Sequence, residues 1–447
     1  MTSSSQGLSH FLQTWWVEFV CAVVIIAVVP LVAGYIILLK RKLLTDLLER
    51  LGPKQVGLDG LRQLIADSFR LLMKRDIVPR DADMFVFWLA PIVTMAAAVT
   101  SLGALYCGPG FRVARDINIG ILFVFGVSSL GFLGIILAGW ATNKQSVRFS
   151  AMRSTAQFIT YELAGGLAIV SVLLLCGTLK IHAIVEAQAA QHVWFIFLAP
   201  AGFFIYLIAA IFGTNRGPFD PPEAEAGPVA SSVPEYSGFR WSLYFLGEYA
   251  NMIVVASIAA TLFLGGWLRP FPNVYWLNWL DFLPGPLIVA VGAFCLRRAG
   301  KQPSKIQTWS LWTVAVVCFV AAIIVLVPWI SAPLRFALPG LNGAFWFLSK
   351  ISIYLYIFMW LRSTLPCFRF DELLHLGWYI LIPLAIVNIF SVAVAMWLES
   401  DFGYRWLAMI ITNVFILAAA IFLAHLNDKR AAAASSVEPE TSDSYAG

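Results

Sequence analysis

The stretch Thr214–Gly227, TNRGPFDPPEAEAG, places Asp220, Glu223 and Glu225 close together, with Arg216 before them and Glu235 following. Clustered carboxylates repel one another, raise each other's pKa and share protons, so such a group suits proton uptake and relay. Gly217, Pro218, Pro221 and Pro222 keep the segment from being regular helix, which leaves the acids on irregular backbone. A solvated acidic loop is the plainer alternative. Three more ionisable residues stand in apolar runs: Glu162 in TAQFITYELAGG, Glu248 in YFLGEYANM, and Lys350 ahead of FMWLRSTLP. A charged group at the centre of a membrane helix costs about 2.5–3.5 kcal/mol, so it persists by pairing, by facing a polar interior, or by moving protons or ions. For Glu162, a salt bridge to a residue such as Arg153 competes with a proton or ligand path.

The elements that must hold these residues are membrane helices. Of 447 residues, 60% are hydrophobic and 12% charged, and the mean hydropathy is +0.81; a soluble chain carries roughly 25% charged residues. Segments near the roughly 20-residue length of a spanning helix lie at about 16–39, 84–106, 117–140, 155–176, 192–213, 247–267, 309–330, 346–362, 377–398 and 403–426. A weaker one, 276–296, contains Asp281 and two prolines. Lipid offers no partner to an open backbone, so the fold class is all-α, a polytopic membrane protein of about eleven transmembrane helices. Glu162 then sits roughly 10 Å into the fourth span, at 1.5 Å per residue, and Glu248 opens the sixth.

Orientation follows from the basic residues. With the N-terminus outside, 23 Lys and Arg fall in inner loops and 6 in outer ones, which places the C-terminus in the cytoplasm of a multi-pass cell-membrane protein. Only if 276–296 crosses does RRAGKQPSK, Arg297–Lys305, face inward. The segments 276–330 thus read as a hairpin with an inner turn. Residues 57–75, GLDGLRQLIADSFRLLMKR, set Leu58, Leu61, Ile65 and Leu72 at helical spacing against Arg62, Arg70 and Lys74; this predicts an amphipathic helix on the inner surface. An ordinary interfacial anchor would look the same. Residues 1–430 form a single membrane domain with an acidic inner loop at 214–247, and 431–447 are a disordered polar tail. The opening MTSSSQGLSH lacks the basic stretch of a cleavable signal, so the first span is expected to be retained.

Several chemistries are disfavoured. The six cysteines form no CxxC pair and no histidine lies mid-span, so neither an iron–sulfur cluster, nor structural zinc, nor a membrane haem is expected in this chain, and no metal site. A net charge of +5 gives no reason to expect nucleic acid.

TNRGPFDPPEAEAG, PEYSGFRWSLYFLGEYANM, FLGGW (Phe263–Trp267), FMWLRSTLPCFRFDELLHLGW (Phe358–Trp378), Tyr161–Glu162 and LGPKQVGLDGLRQLIADSFRLLMK occur in one order. Together they resemble the H subunit of bacterial NADH–quinone oxidoreductase, complex I, from about Lys40 to Trp397. The resemblance implies a membrane subunit that helps form a quinone cavity and couples quinone reduction to proton translocation. It implies quinone as substrate, with FMN and iron–sulfur clusters in partner subunits and no cofactor on this chain. The partners implied are other complex I membrane subunits, peripheral-arm iron–sulfur and quinone-site subunits, and membrane lipid. Carried over by motif, Glu162, Asp220, Glu223, Glu225, Glu235 and Glu248 are proton-transfer candidates, and Tyr161, Arg216, Arg62, Asp67 and Arg369 quinone-cavity candidates. The family usually carries a carboxylate where this chain has Lys40, Arg75, Gly213 and Gly227. Residues 271–345 exceed the family's usual link, so the hairpin at 276–330 reads as an addition. A related subunit of membrane-bound hydrogenases and a stand-alone transporter are the other readings; the absence of an internal repeat speaks against the transporter.

Overall fold

The computed structural model describes residues 2–49, 62–105, 117–214, 236–270, 284–299, 339–365 and 370–402, with isolated positions at 52, 60, 276, 312, 315–316 and 319–320. The described residues are predominantly helical and contain no strand. Seven helices among them are long and apolar enough to cross a membrane, as an all-α polytopic architecture requires.

The helix α1 (Thr2–Leu47) leads to the short amphipathic α2 (Gln63–Met73), where the sequence predicts a longer surface helix over 57–75. The helix stops at Met73 because Lys74 is extended. Its Leu64 side chain presses on Gly34 of α1, where an added Cβ would lie 2.6 Å from Leu64 Cδ1. Asp83 caps α3 (Met84–Gly103) by accepting a hydrogen bond from the Phe85 amide at 3.1 Å. Among the described residues, α3 and α4 (Gly120–Ala141) make the most extensive helix pairing, along a glycine seam. A Cβ on Gly134 would meet the Thr94 hydroxyl and lie 2.8 Å from the Ala90 carbonyl.

The long α5 (Gln145–Cys176) carries Glu162 near its middle and ends at Gly177, φ +66°, where the left-handed cap suits glycine. The expected fifth span at 192–213 is instead broken. After α6 (Ile181–Gln191), the chain makes α7 (Phe195–Leu198) and α8 (Pro200–Gly213), separated at Ala199. Pro200 has no amide hydrogen to continue a helix from α7 and starts α8 instead. At 1.5 Å per residue α8 covers about 21 Å, less than the roughly 30 Å hydrocarbon core.

The central helix is α9 (Gly238–Leu262). It is the most deeply buried of the spans and packs against α1, α2, α3, α4, α6, α8 and a later helix, α11. It begins about ten residues before the expected end of the acidic inner loop at 247, so Glu248 lies well inside it. The reason is long-range pairing. Arg240, only 4% exposed, forms a 2.9 Å ion pair with Asp76, and its guanidinium lies 3.6 Å from the Trp88 ring centroid. Residues that read as loop polarity are thereby buried in helix.

After α10 (Pro284–Ala299) come α11 (Pro339–Thr364), the short α12 (Phe370–His375), a π-helical turn at Leu376–Leu381 and α13 (Ile382–Phe402). Lys350 of α11 is 5% exposed and donates to three backbone carbonyls, Leu264 at 2.6 Å, Gly266 at 2.9 Å and Leu268 at 2.6 Å. Those carbonyls belong to the turn after α9, which Gly265 (φ +77°) and Gly266 (φ +53°) allow, and the Trp194 ring lies 4.7 Å from the ammonium. Each ammonium hydrogen has an acceptor, so this intramembrane charge is explained by pairing alone. Of the expected hairpin, α10 falls in the first arm and only isolated positions of the second are described; the tail 431–447 and the last expected span, 403–426, lie outside the described residues.

Candidate functional site

Three cavities among the described residues border α9. The largest, about 160 Å³, lies between α1, α2 and the first two turns of α9. Its walls are Ile37, Leu38, Leu64, Leu71, Phe239, Trp241, Phe245 and Leu246, and its polar groups include Arg41, Gln63, Asp67 and Ser242. The polar side is ordered: Arg41 Nη1 donates to Asp67 Oδ2 at 2.9 Å, and Gln63 Nε2 donates to Asp67 Oδ1 at 2.8 Å. A cavity of about 150 Å³ admits one benzene-sized ring. This one therefore suits a single planar ring between apolar walls, with hydrogen-bonding groups alongside. Asp67 lies on its wall. Arg62 immediately precedes α2 and is exposed, next to Gln63 but not among the lining residues.

The second cavity, about 50 Å³, is lined by Tyr161, Glu162, Ser128, Tyr206, Gly213 and Asn251 among others. The third, about 30 Å³, is lined by Glu248, Thr94, Thr214, Ser128, Gly213 and Asn251 among others. The last three residues border both cavities, so Glu162 and Glu248 face adjoining spaces. Glu162 has the Ser129 hydroxyl beside its carboxyl. Arg153, the salt-bridge alternative, lies against the Phe370 ring at 5.9 Å. Tyr161 is buried, stacks on Phe212 at 4.1 Å and donates to the Leu373 carbonyl at 2.6 Å. It thus ties α5 to α12, immediately before the π-helical turn. Tyr161 is not on the wall of the 160 Å³ cavity.

Arg216, Asp220, Glu223, Glu225, Glu235 and Arg369 lie outside the described residues. No cluster of three or more His, Cys, Asp or Glu suited to a metal occurs among the described residues. Sequence reasoning passed over Arg41, Gln63, Ser128 and Asn251. Arg41 and Gln63 become visible only once α2 folds back against α1. Asn251 had a signal, a polar amide inside the apolar YANMIVVASIAATL.

Comparison with known proteins agrees with this architecture. The family described as NADH dehydrogenase matches residues 19–393. In Solibacter usitatus, the H subunit of NADH-quinone oxidoreductase that bears the number 2 is 42% identical over 378 residues, 83% of this chain and 94% of the relative. In Koribacter versatilis, the H subunit that bears the number 1 is 43% identical over 366 residues, 78% of this chain and 84% of the relative. The H subunit of Rickettsia felis is 35% identical over 378 residues, 83% and 93% of the two chains. With its membrane helices, and with a family match and relatives that extend over most of its length, the chain belongs to the family of the NADH–quinone oxidoreductase H subunits.

Proposed function

We propose that this chain is the membrane subunit of an NADH–quinone oxidoreductase that forms part of the quinone cavity and couples quinone reduction to proton translocation. The observation that carries this reading is the 160 Å³ space between α1, α2 and α9, apolar on its walls and edged by the Arg41–Asp67–Gln63 group. A quinone has this character: a ring to bury, two carbonyl oxygens to hydrogen-bond, and an apolar tail that stays in lipid. Quinol formation takes up two protons, and Glu162 and Glu248 stand on adjoining cavities where proton transfer between water and carboxyl is feasible.

In this reading Arg62, Asp67, Tyr161, Arg216 and Arg369 belong to the quinone region, and Asp220, Glu223, Glu225 and Glu235 link it to Glu162 and Glu248. Electrons arrive from FMN and iron–sulfur clusters held by partner subunits, and this chain supplies binding and proton routes. The N-terminus faces outward and α2 lies on the inner surface.

Photolabelling of the assembled complex with an azido-quinone tests the cavity. Label is expected in 63–72 or 239–246 and should be displaced by excess quinone; displaceable label confined to other parts of the complex overturns the assignment. Glu162→Gln and Glu248→Gln should leave complex content unchanged and lower proton-coupled turnover about tenfold or more, within the range for loss of a proton-transfer group. Normal turnover and normal pumping per assembled complex in both variants ends the proton-transfer reading.

A further inference from the structure

Two carboxylates on adjoining cavities still need something between them, and the groups at the junction are neutral. Asn251 lies on α9 one turn from Glu248, and its side-chain oxygen is buried with no hydrogen-bond donor among the described residues. Ser128 donates its hydroxyl proton to the Phe125 carbonyl at 2.8 Å, so toward the cavities it offers only an acceptor. Gly213 ends α8 between them, and the nearest atom to a Cβ built there is Phe158 Cε2 at 3.9 Å. Among the described residues the junction is therefore open on the Gly213 side and has two acceptors. Volumes of about 50 and 30 Å³ each exceed the roughly 10–15 Å³ that one water requires.

We propose that Asn251 is a positioning residue: with Ser128 it holds a water, in the space beside Gly213, that carries protons between Glu162 and Glu248. This deepens, and rests on, the proton-transfer reading above. A water that shares one hydrogen between Asn251 Oδ1 and Ser128 Oγ and donates the other to the ionised carboxylate turns a lone pair toward the protonated carboxyl. In the transfer one carboxyl O–H bond breaks as a bond to the water oxygen forms, and a proton already on that oxygen passes to the other carboxylate. No co-reactant is consumed. The two acceptors also favour the transient hydronium by receiving its remaining hydrogen.

The test uses the assembled complex, in native membranes and reconstituted in liposomes. Complex content, quinone-reductase turnover and protons moved per electron are measured together. Asn251→Leu keeps approximate bulk without an acceptor, and should cut turnover and pumping per complex about tenfold, the equivalent of about 1.4 kcal/mol. Asn251→Ser, which restores an acceptor and leaves room for water, should recover most of that loss. Gly213→Leu fills the junction with hydrocarbon, whereas Gly213→Glu fills it with a titratable group, so the Glu variant should turn over faster by about tenfold on the same scale. A merely structural role predicts the reverse order, because leucine suits an apolar helix end better. Should Asn251→Leu fail to assemble, the Gly213 pair decides. Normal turnover and pumping in Asn251→Leu, or in Gly213→Leu, alongside a defective Glu162→Gln overturns the water site and leaves the proton-transfer reading standing. A normal Glu162→Gln overturns both.

Discussion

Lys350→Met separates a structural from a proton-carrying role for the intramembrane lysine. The ammonium donates to three carbonyls at 2.6, 2.9 and 2.6 Å, and the Trp194 ring lies 4.7 Å away. Hydrogen bonds from a charged donor contribute about 1.5–3 kcal/mol each. Against them stands the insertion cost of the charge, about 2.5–3.5 kcal/mol. Methionine removes both, and its thioether cannot donate to the carbonyls of Leu264, Gly266 and Leu268. The balance is a net destabilisation of about 1–6 kcal/mol, located at the end of α9. The expected outcome is a lower content of assembled complex and faster thermal inactivation, with turnover and pumping per remaining complex unchanged. Lys350→Arg should fall in between, since a planar guanidinium keeps the charge but not the three-pronged geometry. The assay is a native-gel quantity paired with quinone-reductase activity and proton movement on the same membranes. Normal assembly with lost pumping in Lys350→Met would refute the argument, because a lysine that serves only as a pin has no reason to affect coupling.

Three further outcomes follow from the same structure. Arg41→Gln should leave assembly intact, because its pair with Asp67 is half exposed and such pairs contribute little; the KM for quinone should rise about three- to tenfold as one polar contact of roughly 1 kcal/mol is lost. Gly134→Val should destabilise the α3–α4 seam by about 1–3 kcal/mol, the usual cost of overpacking, measured as lost complex content; a wild-type yield would show that the seam can spread. A cysteine near Gln302 should react with an impermeant thiol reagent only from the inner side if 276–330 is a hairpin with its turn inside; labelling from the outer side removes the hairpin.

Glu162 and Glu248 were legible in the sequence because a carboxylate in an apolar run is costly enough to demand a reason. Asn251 carries no charge and hardly disturbs the hydropathy of its helix, so its place between them emerged only when α4, α8 and α9 met. The break at Ala199–Pro200 was hidden for a similar reason: apolarity runs straight through it, and a hydropathy window registers composition rather than backbone continuity. The early start of α9 depended on Asp76 and Trp88, more than 150 residues away from Arg240. A local reading of SGFRWS sees only polarity. The amphipathic 57–75 was legible as a face, but its contact with Gly34 was not, since small residues in a span are compatible with lipid or with a neighbour.

The position of α9 has a mechanical consequence. Phe239, Trp241, Ser242, Phe245 and Leu246 line the large cavity, Glu248 and Asn251 the smallest, and Asn251, Val255 and Ile258 the one that holds Glu162. From Phe239 to Ile258 the helix is uninterrupted and has no proline, so it behaves as a rod about 28 Å long at 1.5 Å per residue. A stiff rod that forms one wall of three chambers cannot turn or slide beneath one without reshaping the others. At its C-terminal end Lys350 pins the following turn, and at its N-terminal end Arg240 is tied to Asp76, so the rod is clamped at both ends. Both axial travel and rotation are thereby opposed at the two ends of the rod.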